Sequence, residues 1–356
     1  MKIALITDLH FGARNDNQTF ANFFSRFYTE TFFPELEKRG IKHVFDLGDT
    51  FDRRKYISFT SLKSAKEMFF NPLMEGGYKL HVIVGNHDSV YKNTIETNSI
   101  DLLLADYDNI TTLSTPQTYS IEDFNVFVVP WICAENQEET FTLANNTEAQ
   151  VCFGHLELSN YEMNKGFFIR EGWDDKWLKG FELVCTGHYH TKQQRGNVHY
   201  LGCPYEMTWN DYEDQKGFHI FDTDTRELEF IPNPFVMFHK LWYDDEGWEF
   251  DDVAKEAQTF EQYKDCMIKV VIRNKTNPHL YDHYIERLEK AGVAHIQVAD
   301  DHLHMDLEQE EEIFSEAEDT PTILNKYVDA LEVNEEQKPK LKRLLDKLYS
   351  EALTIT

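Results

Sequence analysis

Five apolar runs within the first 190 residues are each followed at once by residues that can bind a metal ion. These residues are Asp8 and His10, Asp49, Asn86 and His87, His155, and His188 and His190. Glycine directly precedes the polar residue after four of the five runs, which lets the backbone turn sharply and approach a bound group. Residues i and i+2 of an extended chain point to the same side, so each Asp-x-His or His-x-His pair can face one metal centre. Carboxylate, amide and imidazole groups together suit Mn²⁺, Fe²⁺ or Zn²⁺.

The candidate ligands are more numerous than one tetrahedral ion can use. They are Asp8, His10, Asp49, Asn86, His155, His188 and His190. This set suffices for two octahedral or five-coordinate ions that share one carboxylate, with water in the open positions. Two ions about 3.5–4 Å apart recur in enzymes that displace a group at phosphorus, since they activate water and neutralise the developing charge. A single histidine is more often an ordinary surface or core residue, but this ordered set predicts a dinuclear centre.

The strands that must carry these residues are short and nearly all apolar, which is typical of strands buried on both faces. We predict strands over residues 3–7, 43–47, 80–84, 125–129, 151–153, 181–186 and 198–201, and a hairpin over 217–222 and 227–231. Apolar side chains at i, i+3 and i+4 predict helices over 19–38 and 61–70. This alternation predicts a layered α/β sandwich, and such sheets form ligand sites at the carboxyl ends of their strands.

The ordered set of motifs resembles that of the calcineurin-like metallophosphoesterases. The motifs are Asp8-Leu9-His10, Gly48-Asp49, Gly85-Asn86-His87-Asp88, Gly154-His155 and Gly187-His188-Tyr189-His190, and the match covers about residues 1–230. The resemblance implies an α/β/β/α sandwich. It also implies that one ion is held by Asp8, His10, Asp49 and His190, and the other by Asp49, Asn86, His155 and His188. His87 would then protonate the leaving oxygen or stabilise the transition state, with Asp52 as its orienting partner.

The layout of the whole chain resembles that of the SbcD class of nuclease subunits. It comprises a metallophosphoesterase domain at 1–232, a small α+β capping domain that faces DNA at 235–304, an acidic linker at 306–319 and a two-helix tail at 320–356. Pro130-Trp131-Ile132-Cys133 and Gly202-Cys203-Pro204-Tyr205 are similar to segments of the phage recombination endonuclease subunits. The resemblance implies a 3′→5′ exonuclease on duplex DNA and an endonuclease on single strands, which processes DNA ends in recombination and repair.

The same resemblance implies a protein partner, an SbcC-like coiled-coil ATPase, and a homodimer within a heterotetramer. Apolar stripes on the two tail helices are the expected docking surface, since helices this short need something to pack on. Their residues are Ile323, Leu324, Tyr327, Val328, Leu331, Leu341, Leu344, Leu345 and Leu348. The basic residues expected to face DNA follow ligand-bearing segments, and they are Arg53, Arg54, Lys55, Lys92, Lys192 and Arg195.

The composition limits the partners and the compartment of the chain. A net charge of −28 over 356 residues argues against non-specific binding of nucleic acid through surface charge alone. Two bound divalent ions would still attract phosphate locally. The five cysteines form no Cys-x-x-Cys pair, so we expect buried thiols in the reducing cytoplasm of a bacterial or phage-infected bacterial cell. We expect neither a membrane span nor a signal peptide.

The sequence thus favours a Mn²⁺-dependent DNA nuclease with two ions per chain, for which Mg²⁺, Fe²⁺ or Zn²⁺ could substitute. Two alternatives stay open. A metallophosphatase or cyclic-nucleotide phosphodiesterase would use the same centre but would not need the tail. A non-catalytic scaffold that tethers DNA for the ATPase would usually have lost metal ligands, whereas all seven stand here together with His87.

Overall fold

The computed structural model describes residues 1–164, 167–300, 328 and 338–352. The chain divides into two compact units, Met1–His302 and Leu303–Thr356. The predicted acidic linker lies outside the described residues, and so do the predicted tail residues Ile323, Leu324, Tyr327 and Leu331. The predicted domain boundary after residue 232 falls within the first unit and stays a prediction.

The described residues form seventeen strands. In chain order they are β1 (Lys2–Ile6), β2 (His43–Asp46), β3 (Lys79–Ile83), β4 (Ile110–Leu113), β5 (Gln117–Ile121), β6 (Phe124–Val129), β7 (Val151–His155), β8 (Glu162–Asn164), β9 (Phe167–Phe168), β10 (Leu183–Gly187), β11 (Gln193–Arg195), β12 (Val198–Tyr200), β13 (Gly217–Asp222), β14 (Leu228–Pro232), β15 (Phe238–Asp244), β16 (Met267–Asn274) and β17 (His295–Asp300). Each strand predicted from an apolar run is present, with ends within two residues of the prediction.

Helices occupy the connections between these strands. The α-helices of the described residues are Ala13–Asp16, Gln18–Phe27, Phe33–Arg39, Phe59–Ala65, Asn71–Glu75, Ser99–Leu104, Gln137–Asn146, Phe250–Glu256, Pro278–Lys290 and Lys338–Ala352. Ala13–Asp16 is a single turn, in which Arg14 and Asn15 have a left-handed backbone. Short 3₁₀ helices lie at Asp175–Gly180, Trp209–Asp211 and Ala257–Tyr263.

Both helices predicted in the first 75 residues contain a π turn. One π turn, Tyr28–Phe32, comes shortly before Pro34, and the other, Lys66–Phe70, comes shortly before Pro72. Proline cannot donate a hydrogen bond to the carbonyl one turn earlier and its ring clashes there. The wider turn relieves that clash, so the helical path continues through each proline.

Two six-stranded sheets pack face to face at the centre of the first unit. Their strand orders are β14-β13-β1-β2-β3-β4 and β11-β12-β10-β7-β6-β5. Strands β1 to β4 run parallel, as do β6, β7, β10 and β12. Apolar side chains of both sheets meet between them, and the ring centroids of Phe45 and Phe153 are 5.1 Å apart. Helices pack on the outer faces through two further apolar clusters, which confirms the α/β/β/α sandwich.

A third, parallel sheet is formed by β15, β16 and β17. Helix Pro278–Lys290 packs against it through its buried side chains Leu280, Tyr284 and Leu288. The ring of Tyr284 lies 5.0 Å from that of Tyr243 on β15. This small α+β assembly occupies the range predicted for the capping domain.

The described part of the second unit contains helix Lys338–Ala352, where the second tail helix was predicted. Leu341 and Leu345 are half-buried, whereas Leu344 is 53% exposed. The side chain of Leu348 lies outside the described residues, and Val328 is buried.

Two expectations from composition concern the cysteines and the membrane. All five cysteines are buried and unpaired, as predicted. Within the part of the chain that the structure describes, no helix has the length and apolar character needed to cross a membrane.

His43 on β2 and His81 on β3 are buried neighbours in one central sheet, and His81 also contacts the other central sheet. His43 Nδ1 and His81 Nε2 are 3.1 Å apart, and His81 Nδ1 lies 3.1 Å from the hydroxyl of Tyr119 on β5. Burial, and then the charge of His43, lower the pKa of His81 to about 3. His81 therefore stays neutral in the folded chain at pH values where an exposed histidine is charged.

We expect the free energy of unfolding to fall as the pH drops below about 6.5, because His81 of the unfolded chain takes up a proton that folded His81 does not. The loss from this group is about 1.4 kcal/mol per pH unit, down to its folded pKa. Urea unfolding between about pH 6.5 and 5, with a chelator present, should give His81→Phe a pH slope shallower by roughly that amount. Equal slopes for the variant and the wild type would contradict this account.

Candidate metal centre

The predicted ligands follow the carboxyl ends of strands from both central sheets. They are Asp8 and His10 after β1, Asp49 after β2, Asn86 after β3, His155 at the end of β7, and His188 and His190 after β10. Two contacts join the sheets at this edge. His155 Nδ1 donates to the carbonyl of Leu47 at 2.9 Å, and the His188 N–H donates to the Asp8 carboxylate at 3.1 Å. The ligand-bearing loops therefore share one edge of the sandwich.

Four of the predicted ligands have a left-handed backbone. Their φ angles are 54° for Asp8, 44° for His10, 57° for Asp49 and 92° for His188. Such conformations cost a non-glycine residue about 1–3 kcal/mol and persist only where the surroundings enforce them. The Asp8 N–H donates to the Gly48 carbonyl at 2.9 Å, and the His10 N–H donates to the Asp49 carbonyl at 3.0 Å. The fold thus holds strain at its predicted ligands, as is typical of functional sites.

Asp8, His10 and His190 form one group, the His10 cluster, with ligating atoms within 4.8 Å of one another. His10 Nε2 and His190 Nε2 face each other at 3.1 Å. Two imidazole nitrogens at this distance need a proton or a cation between them, because their lone pairs would otherwise repel. The cluster can therefore hold either a shared proton or a bound cation, and its three donors are of the kinds that ligate metal ions.

Asp49, His155 and His188 form a second group, the His155 cluster, within the same distance limit of 4.8 Å. The side-chain oxygen of Asn86 lies 3.0 Å from His155 Nε2 and 2.8 Å from His188 Nδ1. Since His155 Nδ1 donates to a main-chain carbonyl, its Nε2 is the nitrogen left to accept a metal ion. The oxygen and nitrogen donors of this cluster fit a divalent transition metal.

Asp49 lies between the two clusters and is 1% exposed. Its Oδ2 is 3.2 Å from His155 Nε2 and 4.0 Å from His10 Nε2, while its Oδ1 accepts from the His87 N–H at 2.7 Å. This is the position expected for a carboxylate shared by two ions. The structure thus brings all seven predicted ligands together.

Opposite charges balance within this buried centre. Burial disfavours the imidazolium form of His10, but Asp52 and Asp49 outweigh it and raise the pKa of His10 to about 9. Burial is likewise outweighed at His155, where Asp49 raises the pKa to about 9. Burial would raise the pKa of Asp49, but the charge of His155, and then that of His87, hold it well below its ordinary value. Binding of divalent ions would displace these imidazole protons.

His87 and Asp52, the predicted catalytic pair, both lie beside the His10 cluster. His87 Nδ1 donates to the main-chain carbonyl of Asp52 at 2.5 Å, and the His87 ring centroid is 4.8 Å from that of His10. The Asp52 carboxylate itself lies 3.5 Å from His10 Nδ1. Asp52 therefore contacts His87 through its backbone and His10 through its side chain.

Asp88 supports the centre but was not among the site residues predicted from the sequence. Its buried carboxylate accepts from the N–H groups of Asp49 at 2.9 Å, Gly85 at 2.9 Å and Phe51 at 3.3 Å. Burial, and then the charge of Asp49, raise the pKa of Asp88 to about 6. Asp88 fixes the loops after β2 and β3 to each other, and its position at the end of Gly-Asn-His-Asp was the available signal.

The basic residues predicted to face DNA differ in their surroundings. Arg53 donates to the Tyr56 hydroxyl at 2.8 Å, and Arg54 Nε donates to the Ser89 carbonyl at 3.1 Å. Both lie on the segment that follows Asp49, and Arg54 also contacts the segment that carries His87. The other four are exposed, and they are Lys55, Lys92, Lys192, which lies over the Phe230 ring, and Arg195, which lies over the Tyr161 ring.

Residues 1–273 match the family of calcineurin-like phosphoesterases. The chain is 29% identical over 353 residues to exonuclease subunit 1 of Enterobacteria phage T4, an alignment that covers 99% of both chains. It is 25% identical over 210 residues to a putative phosphoesterase of Invertebrate iridescent virus 3, covering 57% of each. Among solved structures, a novel archaeal phosphodiesterase aligns with a TM-score of 0.34 and 13% identity, over 65% of this chain and 99% of that chain.

Gly85→Ala tests the shared position of Asp49. A Cβ at Gly85 would overlap the amide and the carboxyl group of Asp49, so we expect Mn²⁺ affinity to fall by at least about tenfold. Gly180→Ala is the matched control, because nothing lies within 4 Å of a Cβ there. Titration calorimetry measures the affinity, and circular dichroism checks the fold. Wild-type affinity in folded Gly85→Ala would contradict a shared Asp49.

Asp52→Asn separates the two contacts of this residue. The variant keeps the carbonyl that holds His87 but removes the charge beside His10. We expect Mn²⁺ affinity to fall about tenfold, while turnover of a small phosphodiester at saturating Mn²⁺ stays within a few-fold of wild type. Unchanged affinity with a large loss of turnover would instead favour the role predicted from sequence, in which the carboxylate orients His87.

Proposed function

The chain belongs to the calcineurin-like phosphoesterases, which hydrolyse phosphoester bonds, and we propose that it is a Mn²⁺-dependent DNA nuclease subunit that works with a coiled-coil ATPase. The proposed activities are 3′→5′ exonuclease action on duplex DNA and endonuclease action on single strands, in processing DNA ends for recombination and repair. The proposed setting is the cytoplasm of a bacterial or phage-infected cell.

The observation that carries this proposal is the full-length similarity to a phage exonuclease subunit. The family match ends at residue 273, but the similarity to that subunit covers 99% of the chain. A phosphatase or cyclic-nucleotide phosphodiesterase needs only the hydrolytic centre. Similarity that extends through the capping sheet and the tail therefore favours a nuclease subunit over these alternatives.

The proposed reaction uses the seven ligands as two metal sites with Asp49 between them. Two divalent ions bound there would activate water, polarise the phosphodiester and neutralise its developing charge. The His10 cluster and the His155 cluster would each hold one ion, and the mixed oxygen and nitrogen donors favour Mn²⁺, with Mg²⁺, Fe²⁺ or Zn²⁺ as substitutes. The fold enforces the left-handed backbone of these loops, which keeps the donors in place before substrate arrives.

His87 is the proposed general acid for the leaving 3′-oxygen. A carbonyl can only accept a hydrogen bond, so the contact with Asp52 keeps a proton on His87 Nδ1. Nε2 is then the nitrogen that can give a proton when the ring is charged. The main chain of Asp52 thus supports this role by fixing the tautomer.

Further contacts to the DNA backbone, and the contacts to the partner, are proposed to lie outside this centre. Arg53 and Arg54 lie next to ligand-bearing segments and would contact the DNA backbone. Their side chains supply local positive charge in a chain of net charge −28. Exposed Leu344 on helix Lys338–Ala352 supports docking of the tail on the ATPase. A homodimer within a heterotetramer completes the proposed assembly.

His87→Ser is expected to lower cleavage of linear duplex DNA by about 10²–10⁴-fold in Mn²⁺ without abolishing metal binding, because it removes the proton donor and no ligand. His279→Ser, an exposed histidine at the start of helix Pro278–Lys290, is the control and should cleave like the wild type. The assay compares several metals and DNA ends, with and without an ATPase partner. Hydrolysis of small phosphoesters that competing DNA does not affect would contradict the proposal.

A further inference from the structure

Lys216 is a buried lysine whose ammonium group contacts the main chain of the predicted metal ligand His190. The residue is 5% exposed. Its Nζ donates to Asp211 Oδ1 at 2.6 Å, to Asp214 Oδ2 at 2.8 Å and to the main-chain carbonyl of His190 at 2.9 Å. These contacts match the three N–H donors of an ammonium group.

His190 depends on such contacts because it lies in neither a helix nor a strand. Its carbonyl also accepts from the N–H of Cys203 at 3.2 Å. Lys216 and Cys203 thus hold the main chain of His190 from two separate segments. Because the ring of His190 reaches His10 Nε2 at 3.1 Å, a shift of this main chain would move a ligand nitrogen.

Further hydrogen bonds anchor Lys216 itself. Asp211 Oδ2 accepts from the N–H groups of Met207 at 2.9 Å and Thr208 at 2.8 Å, and the Lys216 carbonyl accepts from the Asn233 N–H at 2.8 Å. Burial of an ammonium ion costs several kcal/mol, and a carboxylate partner offsets that cost. The contact with the His190 carbonyl adds nothing to this charge balance, but it satisfies the third N–H of Lys216 and ties the main chain of His190 to a fixed buried group.

We propose that Lys216 is a positioning residue of the metal centre, which holds His190 so that the ion of the His10 cluster binds tightly. The proposal rests on the metal sites of the proposed function but not on the nature of the substrate. Lys216 contacts no residue of the His155 cluster among the described contacts, so the ion there should depend little on it.

The test is Mn²⁺ binding to the full chain, measured by titration calorimetry and electron paramagnetic resonance. Lys216→Met alone leaves Asp211 buried without its counter-charge. The main variant is therefore Lys216→Met/Asp211→Asn. The amide oxygen of the asparagine can still accept from the N–H groups of Met207 and Thr208. We expect one of two Mn²⁺ sites to weaken by about 10–100-fold, the loss typical of residues behind a metal ligand. The resonance signal of the coupled ion pair should vanish at Mn²⁺ concentrations that still fill the other site.

Lys42→Met is the matched control, because Lys42 Nζ also donates to a main-chain carbonyl, that of Gly76 at 3.2 Å, before the amino end of β3. It should bind both ions as the wild type does. If the folded double variant binds both ions with wild-type affinity, Lys216 is only a structural ion pair and the proposal is wrong. If the wild type binds two ions and the variant one, but neither cleaves DNA, the nuclease function fails and the positioning role stands. If the wild type binds no ions, both fail.

Discussion

The arrangement of this molecule depends on one buried carboxylate that faces two groups of candidate metal ligands at once. Asp49 lies at a sheet edge where loops from both six-stranded sheets meet, and imidazole groups approach it from either side. A buried carboxylate is costly unless it is paired and hydrogen-bonded, and here histidines supply the charge while Asp88 holds the Asp49 main chain. The close approach of the loops then requires glycine at position 85 and left-handed backbone at several ligands.

The meeting of the seven candidate ligands could be predicted from the sequence because each follows an apolar run within a few residues, and because parallel strands end at a common edge. Their supporting residues could not be predicted in the same way. His10 and His87 have ring centroids 4.8 Å apart, and the spacing of residues along the chain does not resolve which of them the Asp52 carboxylate approaches. Lys216 follows His190 by 26 positions and belongs to no motif, so only the folded chain shows that they touch.

The fold likewise contains elements that the sequence predicts and elements that it does not. Interior strands have continuous apolar runs, and their ends were predicted to within two residues. Strands β4 and β5 were missed, because each lies at a sheet edge and buries a single side chain among polar and partly exposed neighbours. The π turns were missed as well, since the apolar pattern of a helix does not record how its hydrogen bonds adjust before Pro34 and Pro72.

The contacts between the two central sheets at the candidate metal centre affect the stability of the folded chain. His155 of one sheet is bonded to Leu47 of the other, and His188 to Asp8, so ions held at this edge would clamp both layers. All five cysteines are unpaired, so no disulfide bond joins the two sheets, and bound ions would provide a cross-link between them instead. A ligand that binds only the folded state stabilises it by a free energy that grows with the logarithm of its free concentration. The supply of metal would therefore govern how long the sandwich survives proteolysis, as well as how fast it works.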